Sequence, residues 1–159
     1  MDKEEVMKVL EKLSYGVYVV TMGIEKYTNA LTASWVTQVA FNPPLVAVSI
    51  YKERYSKELA EGVGVFAVNI LGQDQRNLAL RFTKPAQVGE DKFAGLKVET
   101  KATGAPVLSE AVAYLDCEVV QTVPAGDHVL FIGEVKDAKI LRPGETLTSR
   151  DTALRYRRA

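Results

Sequence analysis

Val112-Ala-Tyr-Leu-Asp-Cys-Glu-Val-Val-Gln-Thr-Val123, then Pro124-Ala-Gly-Asp127, then His128-Val-Leu-Phe-Ile-Gly-Glu-Val-Lys-Asp-Ala-Lys-Ile-Leu141, is the stretch that decides the fold. Leu115, Cys117 and Val119 alternate with Asp116 and Glu118, the period of a strand with one buried and one wet face. Val129-Leu-Phe-Ile132 is apolar throughout, as in a strand covered on both sides. The Gly- and Pro-containing break between the two runs reads as a turn, so the whole is a long antiparallel hairpin.

Upstream of the hairpin the same logic finds more strands. Gly16-Val-Tyr-Val-Val-Thr-Met22 is β-branched and aromatic and follows a glycine. Asn29–Val39 is a second strand, less apolar and rich in Thr, Ser and Ala, stopped by Phe41-Asn-Pro-Pro44. Leu45–Tyr51 and Val65–Leu71 are apolar strands. Three helices are expected. The first follows Asp2 and Glu5, which have capping-box spacing, and should bury the face carrying Val6, Val9, Leu10 and Leu13. The second runs over Ser56–Gly62, with Ser56 as N-cap and Gly62 at its end, and the third over Gln73–Phe82. Pro85–Thr103 reads as irregular, punctuated by Gly89, Gly95 and Gly104, and Leu154–Arg158 is a basic tail. Strands outnumber helices and come as hairpins rather than βαβ units. The expected architecture is a mainly β antiparallel barrel with a few peripheral helices, in one domain over residues 1–159.

Composition narrows the function. The 159 residues carry 20 Lys+Arg against 20 Asp+Glu, a net charge of zero. A general nucleic-acid binder needs excess cations to neutralise phosphates, so none is expected as a partner. One cysteine excludes an internal disulfide and a Cys-based zinc site, and one histidine argues against a His-built metal centre, so no metal is expected. Met1–Lys12 lacks the apolar core of a signal peptide, and no apolar run approaches a membrane span. A cytoplasmic protein with no membrane partner follows. With so little side-chain chemistry, any catalysis would lean on a cofactor.

Three stretches could carry that chemistry. Asn29-Ala-Leu-Thr-Ala-Ser-Trp35 has small residues that let a flat ligand approach the backbone, and Trp35 could pack on a ring. An edge strand with a core Trp accounts for the same residues. Ser49-Ile-Tyr-Lys-Glu-Arg-Tyr-Ser-Lys57 gathers Lys52, Arg54 and Lys57 with Tyr51, Tyr55 and Ser56 just before a helix start. Free N–H groups and a guanidinium there suit a phosphate monoester, while a solvated strand-to-helix loop diluted by Glu53 and Glu58 is the plainer alternative. The third, Gly126-Asp-His128, places the single His in a turn, where most histidines are merely solvated.

Together these pieces resemble the flavin reductase-like family of FMN-binding split-barrel proteins. The matching elements are Gly16-Val-Tyr-Val-Val-Thr21, Thr32-Ala-Ser34, Asn42-Pro-Pro-Leu-Val-Ala-Val-Ser49, Phe66-Ala-Val-Asn-Ile-Leu71, and Gly126-Asp-His128 with Gly133-Glu-Val135, in family order. The segment Tyr51–Ser56 is similar to that of flavoredoxin and high-molecular-weight-rubredoxin-type reductases. The resemblance implies a homodimer of six-stranded Greek-key split barrels, each binding FMN. It implies that Asn29, Thr32, Ala33, Ser34 and Trp35 line the flavin ring, and that Ser49 and Tyr51 touch the ribityl side. Lys52, Arg54, Tyr55 and Ser56 would hold the phosphate, and Lys92 would reach the flavin or its phosphate. His128, the catalytic candidate, would sit beside the ring near the nicotinamide position, and Tyr156 would cover the ring from the tail.

The activity so implied is an NAD(P)H-dependent FMN oxidoreductase that passes electrons to free flavin or a redox protein. An electron-transfer FMN protein with a protein partner and little nicotinamide activity is the alternative. A flavin-free interaction domain is the third reading. NADH or NADPH is the expected donor.

Overall fold

The computed structural model describes residues 1–85, 90–154 and 156, without the side chains of Tyr55 and Leu59. Gly89 and the basic residues Arg155, Arg157 and Arg158 lie outside the described residues. The first helix, α1 (Lys3–Leu10), starts where Asp2 Oδ1 accepts from the backbone N–H of Glu4 and Glu5. Its apolar face is mostly exposed: Val9, Leu10 and Leu13 are 60%, 48% and 55% exposed, and only Val6 is half-buried. Periodicity shows which face a helix could bury, and says nothing of whether a neighbour is present to bury it.

Two hairpins and a long return build the sheet. β1 (Tyr18–Ile24) turns directly into β2 (Tyr27–Ala33), with Glu25 at φ 53° and Gly23 at φ 85°. The strand expected over Asn29–Val39 breaks at Ser34-Trp35, and β3 (Val36–Ala40) follows. The turn after Ala40 carries a cis Asn42–Pro43 bond and leads into β4 (Leu45–Tyr51). Next come α2 (Tyr55–Val63), β5 (Val65–Ile70), a 3-10 turn over Gln73–Gln75 and α3 (Arg76–Arg81). Within the span expected to be irregular lies β6 (Val98–Thr100), which pairs with β7 (Pro106–Leu108) just beyond it. The deciding hairpin is β8 (Ala113–Ala125) and β9 (His128–Ile140). Its turn is tighter than expected: Ala125 pairs with His128, leaving only Gly126-Asp127 at the tip, with Gly126 at φ 63°.

The main sheet has seven antiparallel strands in the order β2-β1-β5-β8-β9-β4-β3. Six were expected. The difference is the break at Ser34-Trp35, which turns one edge segment into two strands on opposite edges of the sheet. Because only Ser34 and Trp35 separate β2 from β3, the two edges must lie close together, and the sheet curls into a barrel.

Inside the barrel, Val20, Met22, Val46, Val48, Phe66, Val68, Cys117 and Phe131 form the main core. Val17, Val19, Ala30, Leu71, Phe82 and Leu147 point the other way and pack beneath α3. Successive residues of β1 thus enter different clusters, which explains why β1 is buried on both faces. Two helix ends differ from expectation. The N-cap of α2 is Arg54 rather than Ser56, and its C-cap is Gly64 in the left-handed region rather than Gly62.

Candidate functional site

Where β2 leaves the sheet and β4 ends, the curled edges enclose a cleft of ≈ 230 Å³. Thr32, Ala33, Ser34 and Trp35 line it from β2 and the break after it, Ser49 and Tyr51 from β4, and Arg54 and Tyr156 complete the lining. These eight are all among the residues singled out from sequence. The break at Ser34-Trp35 matters here: the Ser49 N–H donates to the Trp35 carbonyl at 3.0 Å, tying the two segments together. Thr32 uses its own N–H and hydroxyl on the carbonyls of Phe82 and Ala79, which anchors β2 to the end of α3.

Val17, Leu31, Ile50, Thr83 and Leu154 also line the cleft, and sequence reasoning missed them. Val17, Leu31 and Ile50 lie inside or beside the quoted motifs as ordinary strand residues. Thr83 and Leu154 arrive from distant segments, and nothing local marks them.

At one end the single histidine is held from both sides. Its Nδ1 is 2.6 Å from Asp127 Oδ1 and its Nε2 is 2.8 Å from Tyr156 Oη. The two-residue turn puts Asp127 next to His128, so the carboxylate favours the tautomer with Nδ1–H and leaves Nε2 as acceptor for the tyrosine O–H. Trp35 stands 4.9 Å from the His128 ring and 4.7 Å from Tyr156, centroid to centroid. Tyr51 completes the group at 5.6 Å from His128. His128 is itself almost buried, behind Trp35 and Tyr156 rather than on the cleft wall. Burial raises the Tyr156 phenol above its ordinary range, with the nearby Arg54 pulling the other way.

Arg54 brings a cation to the same lining, near Tyr156. Arg54 caps α2 without giving the helix a side-chain acceptor, so a positive group sits at the positive end of the helix dipole. Burial lowers its guanidinium, with Tyr156 opposing. Among the described residues no carboxylate forms an ion pair with Arg54. Lys92 is buried, donates to the Lys84 carbonyl, and is held below the usual lysine range by burial and then by Arg54, against Glu90.

Of the remaining sequence candidates, Lys52 is exposed and its N–H donates to the Asp127 carbonyl. Lys57 pairs with Glu61. Ser56 is fully buried and accepts from Asn29 Nδ2 at 2.9 Å; neither residue lines the cleft. The Tyr55 side chain lies outside the described residues.

Arg54 stands at the uncapped helix start, with Lys92 close enough to feel its charge. The rest of the cleft lining is partly apolar and aromatic. An elongated planar ligand with a terminal phosphate fits that donor set, and flavin mononucleotide has this form.

Comparison with known proteins gives the family. The family model described as flavin reductase like domain matches residues 10–157. Diflavin flavoprotein A 1 of Synechocystis sp. is 34% identical over 143 residues, 89% of this chain and 25% of that protein. A high molecular weight rubredoxin of Moorella thermoacetica is 35% identical over 143 residues, 89% of this chain and 62% of that protein. The chain therefore spans about a quarter of the first relative and under two thirds of the second. Among solved structures, the NADH:FAD oxidoreductase of Streptomyces globisporus superposes with a TM-score of 0.85 at 30% identity, covering 92% of this chain and 87% of that one.

Proposed function

Since this chain belongs to the flavin reductase-like family, we propose that it is an oxidoreductase that holds FMN in the cleft between Trp35 and Arg54 and takes electrons from NADH or NADPH. The observation that carries the choice of a mononucleotide is Arg54, which lines the cleft at the N-cap of α2 with no side-chain cap bond and no ion pair among the described residues. When bound, the flavin supplies the redox chemistry that no side chain of the site offers.

The chain's own residues do the rest. Arg54 grips the phosphate from the cleft lining. Ala33 and Ser34 leave the backbone open to close approach of a ring, and Trp35 gives it an apolar neighbour. Asp127 orients His128, and His128 holds a proton acceptor at Nε2, on the side of Trp35 and Tyr156. Ser49 and Tyr51 line the cleft from β4.

Anaerobic mixing of the yellow protein with NADH and with NADPH tests the reading. Bleaching of the flavin band within seconds supports it. No bleaching with either nucleotide removes it in favour of an electron-transfer protein that serves a redox partner. One observation favours that second reading: Tyr156 lies on Trp35 and takes up His128 Nε2, the atom a nicotinamide-side role would need free.

We further take residues 1–159 as one domain that works as a homodimer in the cytoplasm, where its single buried thiol stays reduced. The exposed apolar residues of α1, together with Phe41 at 89% exposure, support a partnered surface. Sedimentation at micromolar concentration as a monomer would remove the dimer. Among the described residues no helix is long and apolar enough to cross a membrane.

A further inference from the structure

A neutral imidazole accepts through one ring nitrogen only. Asp127 Oδ1, 2.6 Å from Nδ1 of His128, holds the tautomer with its proton on that nitrogen, so Nε2 carries the accepting lone pair. The Tyr156 hydroxyl occupies it at 2.8 Å. Burial raises the Tyr156 phenol, so its oxygen keeps the proton and acts as the donor. His128 is 9% exposed and does not line the cleft, whereas Tyr156 does. Any other donor that reaches Nε2 must therefore displace the tyrosine.

The tail is anchored before it reaches this point, by buried Thr152 and by Leu154 on the cluster beneath α3. Tyr156 itself is 45% exposed and rests on the Trp35 and His128 rings. Its hold on Nε2 is one neutral hydrogen bond, a contact of modest net worth. A nicotinamide carries a primary carboxamide, whose N–H is a neutral donor like the phenol O–H. We propose that Tyr156 is a specificity-determining residue that competes with the carboxamide of a nicotinamide for His128 Nε2, and so sets how well this chain uses NADH or NADPH. The proposal rests on the reading that the cleft admits a nicotinamide donor.

An internal competitor lowers the apparent affinity for its rival by the fraction of protein left open. For one neutral hydrogen bond that factor is about two- to tenfold. Tyr156→Phe removes the O–H and keeps a ring for Trp35, at a half-exposed position outside the barrel core. Tyr156→Leu removes the O–H and the ring together. On the ligand side, replacing the carboxamide by a carboxylate, as in nicotinic acid adenine dinucleotide or its phosphate, keeps the size and leaves no N–H to offer Nε2.

Titration of the flavin-loaded protein with oxidised NAD and NADP, which bind without reducing it, and with their carboxylate analogues tests this. The proteins compared are the wild type, Tyr156→Phe, Tyr156→Leu, His128→Ala and the His128→Ala/Tyr156→Phe double variant. We expect both Tyr156 variants to bind the carboxamide nucleotide about threefold to tenfold tighter, with the carboxylate analogue within about twofold of wild type. In stopped-flow reduction the gain should appear in the concentration of NADH or NADPH giving half the limiting rate, and the limiting rate should stay within about twofold. The double variant should bind no tighter than His128→Ala alone, because the competition takes place at Nε2. Equal tightening of carboxamide and carboxylate nucleotides means a steric cover alone and overturns the proposal. Unchanged or weaker carboxamide binding in the Tyr156 variants overturns it too, as does a gain that persists without His128. If no form of the protein binds either nucleotide or is reduced by NADH or NADPH, the nicotinamide reading falls with it.

Discussion

His128 and Tyr156 meet through a 2.8 Å hydrogen bond between Nε2 and Oη, although 28 positions separate them. That bond, with the Trp35 ring against both, makes one aromatic unit at the end of the cleft. Asp127 fixes the histidine from behind at 2.6 Å, so the ring cannot turn without breaking a charged contact.

His128 does not itself line the cleft, so replacing it by Ala leaves Arg54 in the lining. Flavin affinity should change by less than about threefold, while flavin reduction by nicotinamide slows by about tenfold or more. Stopped-flow reduction and a flavin titration on the same preparation check this. A variant that loses flavin but reduces what it holds at the normal rate would remove the proposed role.

Arg54→Ala removes the guanidinium that no carboxylate pairs with among the described residues. A charge-assisted bond to a phosphate is worth about 1.5–3 kcal/mol, so FMN affinity should fall by roughly 10- to 150-fold and riboflavin affinity hardly at all. Raising the salt should weaken FMN binding of the wild type more than that of the variant.

Gly133, opposite Val46 on β4 and Val119 on β8, has no room for a side chain. A Cβ there would lie 2.5 Å from Phe66 Cζ and 2.8 Å from Cys117 Cβ. Since those neighbours fill the barrel interior, Gly133→Ala should cost about 1–3 kcal/mol of stability. Thermal or denaturant unfolding measures it, and an unchanged midpoint would contradict the packing.

Burial, and then the adjacent Asp116, push the Cys117 thiol up to about 12 from 9.0. The fold thus favours the neutral thiol over the thiolate. Its contribution to stability is complete below about pH 9 and is lost as pH rises toward 12. Cys117→Ala should flatten the loss of stability over that window. In the native protein at pH 8 the thiol should stay unmodified by a thiol reagent until the chain unfolds.

Much of the barrel could be read along the chain. The alternation in Leu115–Val119 and the apolar run Val129–Ile132 reappear as paired positions of β8 and β9. The stop at Phe41–Pro44 also stands where the doubled proline puts it. Local rules failed where the deciding partner is remote. Ser56 looks like a cap because serine usually caps; Asn29 from another strand claims its oxygen instead, and Arg54 takes the cap position. The first helix has the pattern of a buried face, and none of its residues is buried in the described chain.

For the site, the residue types were visible and their grouping was not. Periodicity of two and of 3.6, doubled proline and the Gly126-Asp127 turn are local properties, decided by backbone sterics within a few residues, and they settled the strands, the hairpins and the class of fold. That Thr83 and Leu154 join the cleft, that Tyr156 reaches His128, and that Arg54 stands near Lys92 depend on the order in which seven strands pair and curl. Closure of the barrel brings these segments together, because its edges are joined only through Ser34 and Trp35.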